Sequence, residues 1–214
     1  MDVSISILTV DYKCVEEKLK KAFDIVDYVH LDVMDGEFVP NISFGPAFIK
    51  SIRDINKDVL FDTHLMIMHP QNYIKQFAEA GSQYITFHVE ADCDIKKTID
   101  LIKSYNVKAG ISIKPKTTVE EIKEYLPLVD MVLVMSVEPG FGGQKFMMNA
   151  IDKVKELKEL KIKEGYNYLI NIDGGVNGET APLISNYVDM AVAGSFLCNT
   201  DEPIERINYL HNLK

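Results

Sequence analysis

The sequence predicts an α/β fold built on a parallel sheet, and three observations lead to this prediction. Short apolar runs alternate with longer amphipathic stretches along the chain. Several of the short runs are apolar almost throughout and rich in Val, Ile and Tyr, which is typical of strands buried on both faces and therefore parallel. The chain has 214 residues, which is enough to bury a core within a single domain.

The apolar runs define eight candidate strands, taken in chain order. They are Val3–Leu8, Tyr28–Val33, Val59–His64, Tyr84–His88, Lys108–Ile113, Met131–Met135, Tyr168–Ile172 and Met190–Ala193.

The amphipathic stretches between these runs have the spacing of helices. Apolar side chains recur at helical intervals from Val15 to Phe23, from Tyr73 to Ala78 and from Ile151 to Ile162. Residues that favour a helix start precede or open such stretches: Asp11, Pro70, Thr117 and Glu202–Pro203.

Each strand is followed by a helical stretch, so the chain contains eight β-then-α units. Strict alternation favours a parallel sheet, and eight units most naturally close into a (β/α)8 barrel, the TIM-barrel architecture. The length lies near the lower end of the range of about 200 to 400 residues for such barrels, so the loops must be short. We therefore predict one barrel domain over residues 1–214, with an open doubly wound sheet as the alternative that periodicity leaves open.

The charge balance argues against nucleic acid and membrane partners. Lys and Arg number 23 against 32 Asp and Glu, a formal net charge of −9, so the chain has no electrostatic footprint for a polyanion. The apolar runs are too short to span a bilayer, and no basic secretory signal precedes them. Cys14, Cys93 and Cys198 include no C-x-x-C pair, which argues against a disulfide framework or a thiolate zinc site. Together these features predict a cytoplasmic location.

Side chains that can bind metal gather at three predicted strand ends. His30, Asp32 and Met34 are spaced by two and share one face of an extended strand. His64 ends the third strand, and Asp173 follows the seventh. In a barrel these ends lie on the rim where active sites are found. A lone His in a strand is more often a hydrogen-bonded core residue, but two imidazoles and two carboxylates on one rim favour a divalent metal site.

Glycine-rich segments follow the last three predicted strands. They are Pro139–Gln144, Gly174–Gly175 and Gly194–Ser195. Backbone N–H groups in such turns bind phosphate without any cationic side chain, which matters in an acidic protein. One such glycine alone would more often only form a tight turn. Three adjacent turns instead predict a phosphate site.

Methionine, histidine and glutamate side chains also lie at predicted strand ends. Met34, Met66 and Met135 either fill gaps or line the cavity with a surface that excludes water. For His88 and Glu90, at the end of the fourth strand, we predict a structural hydrogen bond.

At these motifs the sequence resembles the ribulose-phosphate 3-epimerase family over nearly the whole chain. The resemblance is carried by Ser6–Leu8, His30–Gly36, Phe38–Asn41, Asp62–Met66, Val137–Gln144, Asp173–Val176 and Gly194–Ser195. The family is a (β/α)8 barrel that interconverts D-ribulose 5-phosphate and D-xylulose 5-phosphate. The resemblance therefore implies an isomerase of the pentose phosphate pathway that acts on a small ketose phosphate and forms a dimer or hexamer.

The resemblance also implies a role for each part of the site. His30, Asp32, His64 and Asp173 would hold one divalent ion, which could be zinc, iron, manganese or cobalt. Asp32 and Asp173 would be the acid/base pair that moves a proton through an enediolate. Residues expected to touch the substrate are Ser6, His64, Met34, Met66 and Met135, with Gly140, Phe141, Gly142, Gly143, Gly174, Gly175, Gly194 and Ser195 near its phosphate.

Three positions depart from the family pattern. Many members carry His where this chain has Glu37, an acidic residue where it has Asn171, and Pro where it has Ile5. Glu37 and Asn171 could alter the surroundings of the metal, and with them metal affinity or sugar preference.

Three alternatives in function remain open at this point. A sister of the family epimerises D-allulose 6-phosphate but usually breaks the glycine pattern that is intact here, so the pentulose phosphate is favoured. A non-catalytic phosphosugar-binding barrel would need the glycine turns but not the Asp pair and the histidines. A metal-dependent hydrolase would need a metal-bound water and an acid for the leaving group.

Overall fold

The eight strands are all parallel and follow one another around a closed barrel in chain order. They are β1 (Asp2–Ser6), β2 (Tyr28–Met34), β3 (Leu60–Met66), β4 (Tyr84–His88), β5 (Lys108–Ile113), β6 (Met131–Met135), β7 (Leu169–Asp173) and β8 (Met190–Ala193). The last strand pairs with the first, so the sheet has no free edge. The predicted (β/α)8 barrel is confirmed, and the open doubly wound sheet is wrong.

The helices follow the strands along the chain, and the last two come after β8. They are α1 (Val15–Phe23), α2 (Pro46–Ile55), α3 (Ile74–Glu79), α4 (Ile95–Ser104), α5 (Asn149–Glu164), α6 (Ala181–Ile184), α7 (Ser195–Cys198) and α8 (Pro203–His211). Pro46 and Pro203 occupy the first helical position of α2 and α8, where the missing N–H costs no hydrogen bond. No helix within residues 1–213 is both long and apolar enough to cross a bilayer.

This computed structural model describes residues 1–213, with every side chain except those of Cys14, Lys18 and Lys21. Lys214, the last residue of the predicted domain, lies outside the described residues. So does the side chain of Cys14, one of the three cysteines used above to argue against a disulfide framework.

The fifth β-then-α unit differs from the prediction. The connection from 114 to 130, all of whose residues are described, contains two 3-10 turns, Glu120–Ile122 and Leu126–Leu128, and no α-helix. Pro127 explains the difference, because proline inside a helix lacks its N–H and clashes with the preceding turn. Thr117 therefore does not begin an α-helix.

Four predicted strands have different carboxyl ends in the structure. β1 stops at Ser6 rather than Leu8, because the chain turns there and the Val10 N–H donates to the Ile7 carbonyl at 3.1 Å. β2, β3 and β7 extend further than predicted, to Met34, Met66 and Asp173, so Asp173 lies on its strand, as His64 was already predicted to do. Strand backbone therefore holds the predicted site residues more rigidly than loops would.

The alternation along β2 shows how the barrel separates apolar core from polar interior. Val29, Leu31 and Val33 belong to the main core. His30 and Asp32 are equally buried but contact polar groups of neighbouring strands inside the barrel. The barrel interior therefore presents ionisable groups towards one cavity.

Candidate active site

His30 is held inside the barrel by a buried carboxylate on the neighbouring strand. Its Nδ1 lies 2.7 Å from Oδ2 of Asp62, its register partner on β3. Asn171 on β7 donates its Nδ2 hydrogen to the same oxygen at 3.2 Å. Asp32, Asp62 and the His30 ring are all buried. Burial alone would lower the pKa of His30, but the charges of Asp32 and Asp62 raise it well above its usual value. Asp62 thus directs Nε2 of His30 towards the cavity.

His64 pairs with Asp32 in the sheet register. It faces Asp32 through Nδ1, whereas His30 faces Asp32 through Nε2. Its Nδ1 is 3.2 Å from Oδ1 of Asp32 and 4.0 Å from Oδ2 of Asp173. Its Nε2 is 2.8 Å from Nε2 of His88, which in turn contacts Glu90. The hydrogen bond predicted for His88 and Glu90 is therefore formed, between these two residues themselves.

Asp32 and Asp173 come from β2 and β7 and differ in their surroundings. Burial would raise the pKa of Asp32, but the nearby charge of His30 outweighs it and lowers the pKa far below its usual value. Ser6 also donates its hydroxyl hydrogen to Oδ2 of Asp32 at 2.7 Å. Burial and the charge of Asp32 raise the pKa of Asp173 to about 6. Two nearby carboxylates therefore differ in how readily each holds a proton.

The four predicted ligands meet at one point. His30, Asp32, His64 and Asp173 each offer one ligand atom, and these atoms all lie within 4.8 Å of one another. His30 Nε2 is buried and has no hydrogen-bond partner among the described residues, although Asp32 Oδ1 is only 3.2 Å away. A buried nitrogen without a partner, aimed at two carboxylates and a second imidazole, fits a divalent cation.

A cavity opens above these ligands at the carboxyl ends of the strands. Its lining includes the predicted acid/base pair, Asp32 and Asp173. It also includes every residue predicted to touch substrate except His64: Ser6, Met34, Met66, Met135, Gly140, Phe141, Gly142, Gly143, Gly174, Gly175, Gly194 and Ser195. His30 and His64 are fully buried and do not reach the lining. The structure thus brings the predicted acid/base pair and the predicted phosphate turns to one cavity, with the histidines beneath it.

The glycine turns bring main chain close to this cavity. Gly174 and Gly175 both have positive φ, 117° and 64°. A Cβ at Gly175 would lie 2.6 Å from the backbone nitrogen of Phe146. The β7 turn and the β6 loop therefore contact each other through main chain, which leaves no room for a side chain at Gly175.

Sequence reasoning missed several residues of the site. Asp62 has no predicted role, although it alternates with His64 and Met66 along one face of β3, and that period of two is the signal that could have found it. Thr9 also lines the cavity, and its buried Oγ1 has no hydrogen-bond partner among the described residues. Nothing in the sequence around Thr9 distinguishes it from an ordinary turn residue.

A closed barrel with a His/Asp cluster beneath a glycine-lined cavity at its strand ends defines the chain as a (β/α)8-barrel enzyme. Sequence comparison identifies the family. The model of the ribulose-phosphate 3 epimerase family matches residues 2–198, and the chain belongs to this family. The predicted family and the predicted enzyme class, an isomerase of the epimerase type, are confirmed.

Curated relatives agree with this assignment. The chain is 40% identical over 218 residues to the ribulose-phosphate 3-epimerase of Bacillus subtilis (strain 168), covering 99% of each chain. It is 42% identical over 169 residues to the enzyme of the same name from Treponema pallidum (strain Nichols), covering 78% of this chain and 77% of the relative. With the ribulose-phosphate 3-epimerase of Aquifex aeolicus (strain VF5) it shares 40% identity, covering 89% and 86%.

Solved structures of low sequence identity share the fold. KGPDC from Streptococcus mutans superposes with a TM-score of 0.75 at 14% identity, covering 99% of this chain and 95% of the other. A 3-hexulose-6-phosphate synthase superposes with a TM-score of 0.73 at 16% identity, covering 98% of both. At such identities the likeness supports the barrel architecture alone.

Proposed function

We propose that the chain interconverts D-ribulose 5-phosphate and D-xylulose 5-phosphate by moving the proton at C3, with Asp32 and Asp173 as the two acid/base groups. The observation that carries this proposal is the meeting of these carboxylates, from β2 and β7, at the floor of one cavity. The names of the relatives, one of them similar over 99% of both chains, support the choice of substrate.

Inversion at C3 requires a proton to leave one face and a proton to arrive on the other. One aspartate takes the C3 proton, and the electron pair of the C–H bond moves into the C2 carbonyl to give an enediolate. The other aspartate then gives its proton to the opposite face of C3 while the carbonyl re-forms. Two acid/base groups from different strands, differing in proton affinity, suit this reaction.

His30, Asp32, His64 and Asp173 would hold a divalent cation at the floor of the cavity. A bound cation supplies Lewis-acid stabilisation for negative charge that develops on the substrate oxygens. Zinc, iron, manganese and cobalt all accept this mixture of imidazole and carboxylate ligands. Ser6 keeps Asp32 in place through its hydroxyl hydrogen bond.

The remaining cavity wall would orient the sugar phosphate. The turns at 140–143, 174–175 and 194–195 offer backbone N–H groups to the phosphate, and no Lys or Arg lines the cavity in the part of the chain that the structure describes. Met34, Met66 and Met135 line the same cavity, where their apolar surfaces would limit access of water to the reacting carbon.

The test is an epimerase assay on the metal-loaded enzyme in D2O, with mass spectrometry of the product. Wild type should place deuterium at C3 during turnover. Asp32→Asn and Asp173→Asn should each lose about 10²-fold to 10⁴-fold in kcat, because each removes one of the two proton-transfer groups. Asp92→Asn, which changes an exposed carboxylate outside the cluster, is the matched control and should retain wild-type activity.

The same assay separates the competing functions. Near-wild-type turnover by either Asn variant with metal still bound would contradict the two-base scheme. Preference for D-allulose 6-phosphate would mean that the same mechanism acts on a hexulose phosphate instead of a pentulose phosphate. A metal-loaded enzyme inert towards both ketose phosphates would favour a non-catalytic phosphosugar-binding barrel, and release of inorganic phosphate from sugar phosphates would favour a hydrolase. The homo-oligomer and the cytoplasmic location stay predictions.

A further inference from the structure

A chain of three buried or half-buried side chains runs from the metal-ligand cluster towards the β5–β6 connection. We propose that His88 and Glu90 are positioning residues that hold His64 in the tautomer able to bind a divalent cation through Nδ1, whereas His30 binds it through Nε2. The inference rests on the proposed metal site and assigns to it two residues outside the ligand set.

The contact between the two imidazoles restricts their protons. Nε2 of His64 lies 2.8 Å from Nε2 of His88, and both rings are fully buried. At this distance one nitrogen must donate a hydrogen and the other must accept it. The hydrogen bond between the two rings can therefore be donated by either histidine. Only donation by His64 leaves its Nδ1 with a free lone pair.

Glu90 determines the direction. Its Oε2 lies 3.0 Å from Nδ1 of His88, and its Oε1 accepts hydrogen bonds from the Lys114 backbone N–H at 2.8 Å and from the Thr117 hydroxyl. Burial alone would raise the pKa of Glu90, but hydrogen bonds from His88, Thr117 and Lys114 lower it to about 2, so the carboxylate is ionised and only accepts.

The remaining protons follow from this acceptor. His88 must carry its hydrogen on Nδ1 and donate it to Glu90, so its Nε2 accepts. His64 must then donate through Nε2, which leaves the lone pair of Nδ1 pointing towards Asp32 and Asp173, at 3.2 Å and 4.0 Å. Histidine ligands of metals are commonly oriented by such outer partners.

His30 presents the other ring nitrogen to the ligand cluster, and a carboxylate orients it directly. Asp62 accepts from its Nδ1, so Nε2 is the nitrogen that faces Asp32 and Asp173. Each histidine is therefore linked to its own carboxylate, directly for His30 and through an intervening imidazole for His64. The two histidines bind through different ring nitrogens, which is a property that can be measured.

The first test measures the affinity of the metal-free full-length enzyme for Zn²⁺ by competition with a chromophoric chelator. His88→Leu has a similar volume but no acceptor for the His64 hydrogen, and it should bind Zn²⁺ about 10-fold to 100-fold more weakly. His88→Gln keeps a carbonyl acceptor and should remain within about threefold of wild type, an expectation that follows from the same orienting role. His69→Leu, at a half-exposed histidine that contacts Asp92, is the control and should bind as wild type does.

Glu90→Gln tests the direction of the chain without altering the size of a side chain. If the Gln oxygen accepts from Lys114 and Thr117, its NH2 group faces His88 and forces the hydrogen of that ring to Nε2. His64 must then carry its own hydrogen on Nδ1, the ligand atom. We expect roughly 10-fold weaker Zn²⁺ binding, of the size seen when outer partners of a ligand are lost. This variant keeps the inference testable if His88→Leu does not fold, as judged by circular dichroism.

The second test is the ¹⁵N spectrum of the histidine rings in the Zn²⁺-loaded enzyme. His64 should show a metal-bound Nδ1 with a protonated Nε2, and His30 the reverse. Coordination of Zn²⁺ by Nε2 of His64, or unchanged affinity in both folded His88→Leu and Glu90→Gln, would overturn the inference and leave the proposed function standing. Failure of wild type to bind Zn²⁺ would overturn the inference together with the proposed metal site.

Discussion

Asn171 shows how one residue that departs from the family pattern fits its surroundings. Its amide donates to Oδ2 of Asp62, an oxygen that also lies against His30, and all three side chains are fully buried. An acid at position 171 would place a second carboxylate against Asp62 in a buried site, where two like charges are costly unless one is protonated. The neutral amide instead donates a hydrogen bond to Asp62, which in turn orients His30.

The other two departures lie away from the cavity. Glu37 is exposed in the loop after β2, where its backbone N–H donates to Oδ1 of Asp35 at 2.9 Å. Ile5 faces the apolar core outside the barrel. Neither side chain lines the cavity. Of the three departures, only Asn171 therefore contacts the groups that orient a proposed metal ligand.

Thr9 is the residue for which we predict a direct effect on substrate binding. A Cβ built at Gly194 would lie 3.6 Å from its Oγ1, and one built at Gly142 would lie 2.5 Å from its Cγ2, so Thr9 sits between two predicted phosphate turns. This hydroxyl is buried and has no partner in the part of the chain that the structure describes, so it is suited to bind a substrate oxygen. Thr9→Val keeps the shape and removes the hydroxyl, and we expect KM for the ketose phosphate to rise roughly tenfold with kcat within about twofold.

Thr9→Ser is the matched control, because it keeps the hydroxyl and removes only the methyl group. Steady-state kinetics on both variants provide the measurement, and Thr9→Ser should stay near the wild-type KM. An unchanged KM in Thr9→Val would show that the hydroxyl makes no contact with substrate.

At the scale of elements, the loop after β6 and the turn after β7 are joined by main-chain contact at Gly175. Alanine there would place its Cβ 2.6 Å from the Phe146 nitrogen and 3.0 Å from the Gln144 carbonyl oxygen, so the two segments must separate. Gly143 has a similar positive φ of 72°, yet a Cβ there meets nothing within 4 Å. Comparing a substitution at Gly175 with one at Gly143 therefore distinguishes the effect of steric overlap from the effect of backbone strain.

We predict that Gly175→Ala raises KM at least tenfold, because displaced turns no longer present their N–H groups together. Gly143→Ala should cost only about 1 kcal/mol of folding stability, the usual penalty for a positive φ without glycine, and change KM less. Kinetics and urea unfolding of both variants provide the measurement. Equal effects on KM would mean that the contact at Gly175 does not organise the phosphate turns.

The barrel and the predicted ligand cluster were accessible from the sequence because both depend on local periodicity. Alternation of period two assigns His30 and Asp32 to one face, and parallel strands bring their carboxyl ends to one rim. The helix predicted after β5 shows the limit of such patterns, because β-then-α alternation and Thr117 predicted it although Pro127 interrupts the segment.

Contacts that depend on how strands sit side by side could not be predicted. Asp62 and Asn171 are separated by 109 residues and meet only across the closed barrel. The His64–His88 contact depends on the stagger between β3 and β4, since His64 pairs with Thr86 in the register rather than with His88. Sequence periodicity indicates which face of a strand each side chain lies on, but it does not indicate the stagger between neighbouring strands.

At the scale of the whole molecule, the four proposed ligands join the neighbouring strands β2 and β3 to β7, on another part of the barrel wall. A cation bound there by the folded chain would therefore stabilise the whole barrel against unfolding. At a free Zn²⁺ concentration of 100 times Kd, we expect a gain of about 2.7 kcal/mol in the free energy of unfolding. For a chain of this length that gain corresponds to a rise in Tm of roughly 5–10 °C.

Differential scanning calorimetry of the metal-free enzyme, with and without Zn²⁺, measures this rise. His64→Leu removes one of the four ligands and should reduce the rise at the same Zn²⁺ concentration, whereas His69→Leu, outside the cluster, should show the wild-type rise. If the wild-type Tm did not change although equilibrium dialysis showed one bound Zn²⁺, the cation would bind the unfolded chain as well as the folded one, or at a site that does not tie the strands together. An equal rise in wild type and His64→Leu would place the Zn²⁺ elsewhere and remove His64 from the ligand set.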